Sequence, residues 1–246
     1  GEEIVKVTIG SSHCIAVGKG GDCFVWGDGD AGQLGLGSLG HHPLVAINNS
    51  FPAISGASAG SNHSVVLTKA SEQLYIWGHA SNGRLGLGEL ERVGAKDSER
   101  FYYPIPQVLA TLERIKQVSC GADHCLAIGA AGVWTWGSGA GGRLGLGDNK
   151  DRKEPVLVPR LKRRCVSQVS AGHWHSMAVV IHPPMIGGGW IYTWGSGYHG
   201  QLGQGPRTVS MTAEVVDHFV KFHILISRIF AGSHHCCALT REGEMY

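Results

Sequence analysis

Residues 135–147 read TWGSGAGGRLGLG, in which Gly137-x-Gly139-x-x-Gly142 follows a short aromatic run. Three glycines at that spacing are the form of a dinucleotide-binding loop, which works by opening a helix whose N-terminus holds a pyrophosphate. Whether the stretch is unique decides its meaning, and it is not. Trp-Gly recurs at Trp26-Gly27, Trp77-Gly78, Trp136-Gly137 and Trp194-Gly195, with the tryptophans 51, 59 and 58 residues apart. Each copy runs on into Gly-x-Leu-Gly-x-Gly, at 32–37, 83–88, 142–147 and 200–205. Leu-Gly-x-Gly cannot open a stable helix when each helical glycine costs roughly 1 kcal/mol. The stretch is therefore a structural repeat and not a nucleotide site.

A second motif keeps the same period. Gly-x-x-His occurs at Gly10/His13, Gly60/His63, Gly121/His124, Gly172/His175 and Gly232/His235, giving four whole copies and the start of a fifth. Between the motifs the first copy reads as strands: Ile4–Ile9 alternates, His13–Val17 and Cys23–Trp26 are apolar runs, and Lys19–Asp22 is a turn. A fourth run follows the glycine loop and carries proline at Pro43, Pro104 or Pro155, as suits an edge strand with no N–H to give. Four strands every fifty to sixty residues make one propeller blade. The expected fold is all-β, a propeller of four-stranded blades in one segment spanning 1–246. Its repeats fall at about 1–53, 54–115, 116–165 and 166–226, with a partial fifth at 227–246.

The 246 residues include 38 glycines, and only 16% are charged, which suits many short strands joined by tight turns. No run approaches the ~18 apolar residues of a membrane span, and GEEIVKV at the start is not a signal sequence. The seven cysteines contain no C-x-x-C, so the reading places the chain in a reducing compartment, cytosol or nucleus. Cys14, Cys125 and Cys236 follow the repeat histidine where Ser64 and Ser176 stand in the other copies, a slot that asks for something small.

These alternating motifs resemble the regulator of chromosome condensation repeat family over essentially the whole chain. The resemblance implies a β-propeller, usually of seven blades, and too few repeats are present for that ring. An incomplete ring or a fragment is thus expected, with further blades or another chain to close it. In the founding member of the family the propeller exchanges nucleotide on the small GTPase Ran while docked on chromatin. In other members it is an interaction domain fused to ubiquitin ligase, kinase, FYVE or ciliary modules. No exchange residues carry over by alignment.

The expected function is accordingly a protein-protein interaction module within a larger polypeptide, with guanine-nucleotide exchange on a Ran-like GTPase as the alternative. Neither needs a catalytic side chain, and none is assigned. GASAG at 56–60 matches a nucleophile elbow, but Ser58 occupies a repeat slot that holds Thr8, Ser119, Ser170 and Phe230 elsewhere. No cofactor and no metal site is assigned: His13, His63, His124, His175 and His235 come one per blade and read as turn-bonding structural residues. Trp26, Trp77, Trp136 and Trp194 read as inter-blade plates whose indole N–H needs a partner if buried.

The candidate partner-binding residues lie in KDRKEPVLVPRLKRR at 150–164, and are Lys150, Arg152, Lys153, Arg160, Lys162, Arg163 and Arg164. Only Asp151 and Glu154 offset them. Ordinary solvated surface is one reading of such a run, and a dock for an acidic protein surface or nucleic acid phosphates is the other. Repeat register sets its two halves at opposite ends of one strand and favours Arg160–Arg164. The insertions at 89–103 and 182–190 are expected to be surface loops, where binding tends to reside.

Overall fold

A computed structural model describes residues 2–89, 101–183, 187–206 and 208–246; most of the insertion at 89–103 and part of that at 182–190 lie outside the described residues. Four antiparallel four-stranded sheets follow one another along the chain, each in sequential strand order, and a two-stranded sheet completes the array. Blade one is β1 (Ile4–Ile9), β2 (His13–Gly18), β3 (Cys23–Gly27) and β4 (His42–Ile47). Blade two is β5 (Ile54–Ala59), β6 (His63–Thr68), β7 (Leu74–His79) and β8 (Tyr102–Val108). Blade three is β9 (Gln117–Cys120), β10 (His124–Gly129), β11 (Gly132–Gly137) and β12 (Arg152–Leu157). Blade four is β13 (Cys165–Ala171), β14 (His175–Ile181), β15 (Trp190–Ser196) and β16 (Val209–Val215). A short helix α1 (Asp217–Lys221), not foreseen from the pattern, leads into β17 (Ile226–Ala231) and β18 (Cys236–Thr240).

First strands pack on first strands, β1 on β5, β5 on β9, β9 on β13 and β13 on β17, so they surround the axis while the proline-bearing fourth strands form the rim. Pro43, Pro104 and Pro155 lie within these edge strands, where a missing N–H leaves no sheet partner unbonded. The apolar core is divided among the interfaces between blades. Ile15, Val25, Ile54 and Trp77 share one cluster, Val65, Ile76, Leu85 and Trp136 the next, then Leu126, Val133, Val169 and Trp194, then Met177, Val179, Ile229 and Ala238. β6 and β10 are buried from end to end because blades cover both their faces. β1 has an uncovered face, which exposes Ile4, Val5, Val7 and Ile9.

The dinucleotide-like stretch ends as a single 3-10 turn at Ala140–Gly142, with Gly141 at φ 68. Its later glycine serves the neighbouring blade. A side chain at Gly145, which has φ +71, would meet Trp194 Cδ1 at 2.9 Å, and one at Gly86 would meet Trp136 Cδ1 at 2.8 Å. The motif needs glycine there both for the left-handed backbone and so that an indole can lie flat against the loop.

Candidate functional site

The interface between blades accounts for most of the motif residues. His13 Nε2 lies 2.8 Å from Ser64 Oγ in the next blade, and Ser64 donates to the Gln33 carbonyl at 2.7 Å. A hydroxyl has one proton to give, so the imidazole is the donor of the first bond. The same carbonyl accepts the indole N–H of Trp77 at 2.8 Å, which fills both its lone pairs. His124, Ser176, Trp194 and the Arg143 carbonyl repeat the set with 2.8, 2.8 and 2.9 Å bonds. With cysteine in the slot, His63 Nε2 is 3.1 Å from Cys125 Sγ and Trp136 donates to the Arg84 carbonyl at 3.1 Å. His175 Nε2 is 3.1 Å from Cys236 Sγ.

Two sequence expectations are thereby revised. The motif histidines bond the next blade and not the backbone of their own turn, because that turn is already closed, as by Gly10 N–H to the His13 carbonyl at 2.8 Å. The following slot asks for a small side chain that also accepts a hydrogen bond, which alanine could not do. Burial holds three of these imidazoles neutral: it pushes His13 and His175 down to about 4, with nearby histidines adding to the effect, and it lowers His124 well below the usual range. Trp26, in the first of the described blades, is half-buried, and His235, in the last of them, is exposed.

Ser58 has a structural task of the same kind. Its Oγ accepts the N–H of Cys120 at 2.9 Å, just as Thr8 takes Ala59, Ser119 takes Ala171 and Ser170 takes Ala231. Each is a stitch between first strands of adjacent blades, so the apparent nucleophile elbow is one stitch in a row. Gln117 and Gln168 add a second row, each pairing its side-chain amide with the N–H and carbonyl of Val169 or Ile229.

The seven basic residues are divided by β12. Arg152 pairs with Asp148 at 2.7 Å and Lys153 with Glu89 at 2.7 Å, and Lys150 is exposed beside them on the side of the glycine loops. Beyond the strand, Arg160 pairs with Glu214 at 3.1 Å. Lys162, Arg163 and Arg164 are exposed and carry no ion pair among the described residues. Arg163 donates its N–H to the Ala131 carbonyl, in the turn between β10 and β11, which places these three on the opposite face of the disc. One continuous patch of seven is therefore ruled out by the course of the strand.

A groove of about 560 Å³ on the glycine-loop face was not singled out in the sequence. Trp174, Tyr198, His199, Met211 and His234 line it, contributed by loops and strands of blades four and five. Trp174 is 38% and Tyr198 70% exposed. Arg143, itself 1% exposed, places its guanidinium 3.8 Å from the centre of the Trp174 ring and donates to the carbonyls of Ala140 and His173. Desolvation lowers its guanidinium to about 10, still charged at neutral pH. His173 stacks on Trp174 at 5.7 Å and on His234 at 5.9 Å, and His199 meets His234 edge-on at 5.0 Å. His234 stands in the turn between β17 and β18. The sequence did hold one signal: Trp174 fills a motif position that is Ser12, Asn62, Asp123 and His234 in the other blades.

Comparison with known proteins follows the same repeat. The model of the regulator of chromosome condensation (RCC1) repeat matches residues 20–67, 71–128 and 131–179, and a second model of that repeat matches 4–33. The chain is 31% identical over 249 residues to the ultraviolet-B receptor UVR8 of Arabidopsis thaliana, covering 99% of this chain and 52% of that protein. It is 34% identical over 266 residues to the probable E3 ubiquitin-protein ligase HERC3 of Homo sapiens, covering 100% of this chain and 24% of that protein. The chain spans about half the length, or less, of the curated relatives it matches. Among solved structures it superposes on human WBSCR16 with a TM-score of 0.80 at 19% identity, covering 98% of this chain and 58% of that one. It superposes on Prp20p of Saccharomyces cerevisiae, described with its binding properties to Gsp1p and histones, with a TM-score of 0.76 at 22% identity, over 98% of this chain and 57% of that one.

Proposed function

Because this chain belongs to the regulator of chromosome condensation (RCC1) repeat family, we propose that it is a protein-protein interaction module that offers a rigid disc to a partner and performs no chemistry on it. The observation that carries this reading is the groove around Trp174. An exposed indole is held in place by a buried guanidinium and a stack of imidazoles, and the exposed phenol of Tyr198 lines the same groove. Immobilised Trp, Tyr and Arg are the side chains that dominate binding at protein interfaces, because they bury large area with little loss of rotamer freedom. Lys162, Arg163 and Arg164 offer a second contact on the other face, for an acidic protein surface or nucleic acid phosphates, and the cytosol or nucleus is the setting in which such a partner is met. The uncovered apolar face of β1 and the exposed His235 suit further blades, or another chain, on either side of the array.

The experiment is a comparison of partners captured in cells by proximity labelling with the wild-type chain and with Trp174→Ala/Tyr198→Ala. Partners lost from the variant while its thermal unfolding stays cooperative support the reading, and an unchanged set of partners overturns it. Release of labelled GDP from a Ran-like GTPase, measured in parallel, tests the exchange alternative that the repeat family raises. Stimulated release would replace the passive module with an exchange factor.

A further inference from the structure

Blade three departs from its neighbours at one position. The residue before the glycine of Gly-x-x-His is Ala59, Ala171 and Ala231 in blades two, four and five, and Ile9 in blade one, but Cys120 in blade three. β9 and β10 set Cys120 directly opposite Cys125, with the two sulfurs 3.4 Å apart. His63 of blade two reaches Cys125 Sγ at 3.1 Å, and the three donor atoms all lie within 4.8 Å of one another among buried residues. The ligand atoms come together across 62 residues of chain, which is why no local spacing announces them.

We propose that His63, Cys120 and Cys125 form a binding site for a thiophilic d10 cation, zinc(II) in the first instance. Bonds of ~2.3 Å to sulfur and ~2.0 Å to nitrogen in a tetrahedron put ligand atoms roughly 3.8 Å (S to S) and 3.5 Å (S to N) apart. The Cys120–Cys125 and His63–Cys125 separations fall short by a few tenths of an ångström and His63 lies within 4.8 Å of Cys120, so the ion enters by side-chain rotations. Two thiolates and an imidazole select zinc over magnesium or calcium, which take oxygen ligands. Binding releases two protons, one from each thiol, and the two thiolates balance the charge of the ion.

The slot is also looser with sulfur in it. Where this slot is serine the hydroxyl bonds the loop carbonyl at 2.7 or 2.8 Å, whereas Cys125 Sγ stands 3.8 Å from the Arg84 carbonyl. An entry path exists as well, since Cys120 borders a groove of about 300 Å³ along the axis, together with Gly60, Ser61 and Gly121. Three protein ligands leave the fourth position to water, the arrangement of zinc sites that bind or activate a small ligand.

The test is titration of the reduced, chelator-stripped chain with cobalt(II) and then zinc(II). Expected are one equivalent of cobalt, a thiolate-to-metal charge-transfer band with the visible bands of four-coordinate cobalt, and its displacement by zinc. Cys120→Ala and Cys125→Ser install the residues that other blades carry in these slots, so both are expected to fold, checked by circular dichroism. Each should weaken zinc binding at least tenfold and remove the rise in Tm that zinc gives the wild type. Absence of the one-equivalent thiolate band in the wild-type chain overturns the proposal without recourse to any variant. So does a band that persists in Cys120→Ala, or a Cys120–Cys125 disulfide in protein isolated under reducing conditions.

Discussion

His124 Nε2 donates across 2.8 Å to Ser176 Oγ in the following blade, and Ser176 donates its own hydroxyl proton to the carbonyl of Arg143, in the glycine loop between β11 and β12 of blade three. One histidine, one hydroxyl and one loop carbonyl thus tie two blades and the glycine loop into a single buried unit. Both side chains are fully buried, so water cannot replace either bond. Ser176→Ala is expected to lower stability by about 1–3 kcal/mol, because it strands the imidazole N–H and removes one donor from the carbonyl. Ser176→Cys, the choice of three other blades, should cost clearly less. Urea unfolding of the three proteins measures this, and equal midpoints for alanine and serine would refute the relay.

The glycine loops give a contrast within one motif. Gly86 has φ +67 and faces Trp136, whereas Gly147 has φ +87 and faces open space. Gly147→Ala is expected to cost about 1 kcal/mol, the strain of a left-handed alanine alone. Gly86→Ala should cost several times more, since it also displaces a wholly buried indole whose packing is worth roughly 3–5 kcal/mol against alanine. Similar losses in Tm for the two variants would mean that Trp136 does not depend on the loop beneath it.

Acid should weaken the array well before its carboxylates titrate. His13 and His175 fall from 6.5 to about 4 on burial, so between those values the unfolded chain binds protons that the folded chain refuses. Stability therefore falls as pH drops from about 6.5 towards 4, by on the order of a few kcal/mol per histidine, and is fully present above 6.5. The urea midpoint followed from pH 7.5 to 4.5 should decline over that window. His13→Gln, which keeps a donor for Ser64, should flatten the decline even if it starts lower. A midpoint constant across the window would contradict neutral buried imidazoles.

Charge reversal should separate the two ends of β12. Lys162, Arg163 and Arg164 have no ion pairs among the described residues, whereas Arg152 and Lys153 are neutralised by Asp148 and Glu89. Replacing the first three by glutamate should weaken retention on an immobilised polyanion and flatten its salt dependence, since fewer counterions are released. Replacing Arg152 and Lys153 should do much less. Equal effects from the two sets would mean that the basic residues act only through net charge.

The period of the fold was legible from the chain alone because blades are built locally. Trp-Gly, Gly-x-x-His and the proline-bearing edge strands are turn and strand chemistry acting over a few residues, and they repeat at the interval at which the sheets appear. What each marked residue bonds to was not legible, because its partner lies one blade away: His13 meets Ser64, Ser58 meets Cys120, and Trp136 meets the carbonyl of Arg84. The same distance hid the groove, whose Trp174, Tyr198 and His234 come from three separate loops, and it hid the gathering of His63, Cys120 and Cys125. Conversely, β12 holds apart residues that adjoin in sequence, since an extended strand of six residues spans roughly 20 Å and carries Lys150 and Lys162 to opposite faces. Periodicity in sequence reports which side chains a blade must bury or cap, but contacts between blades depend on how flat sheets stack around an axis. That stacking is set only when all the interfaces close together.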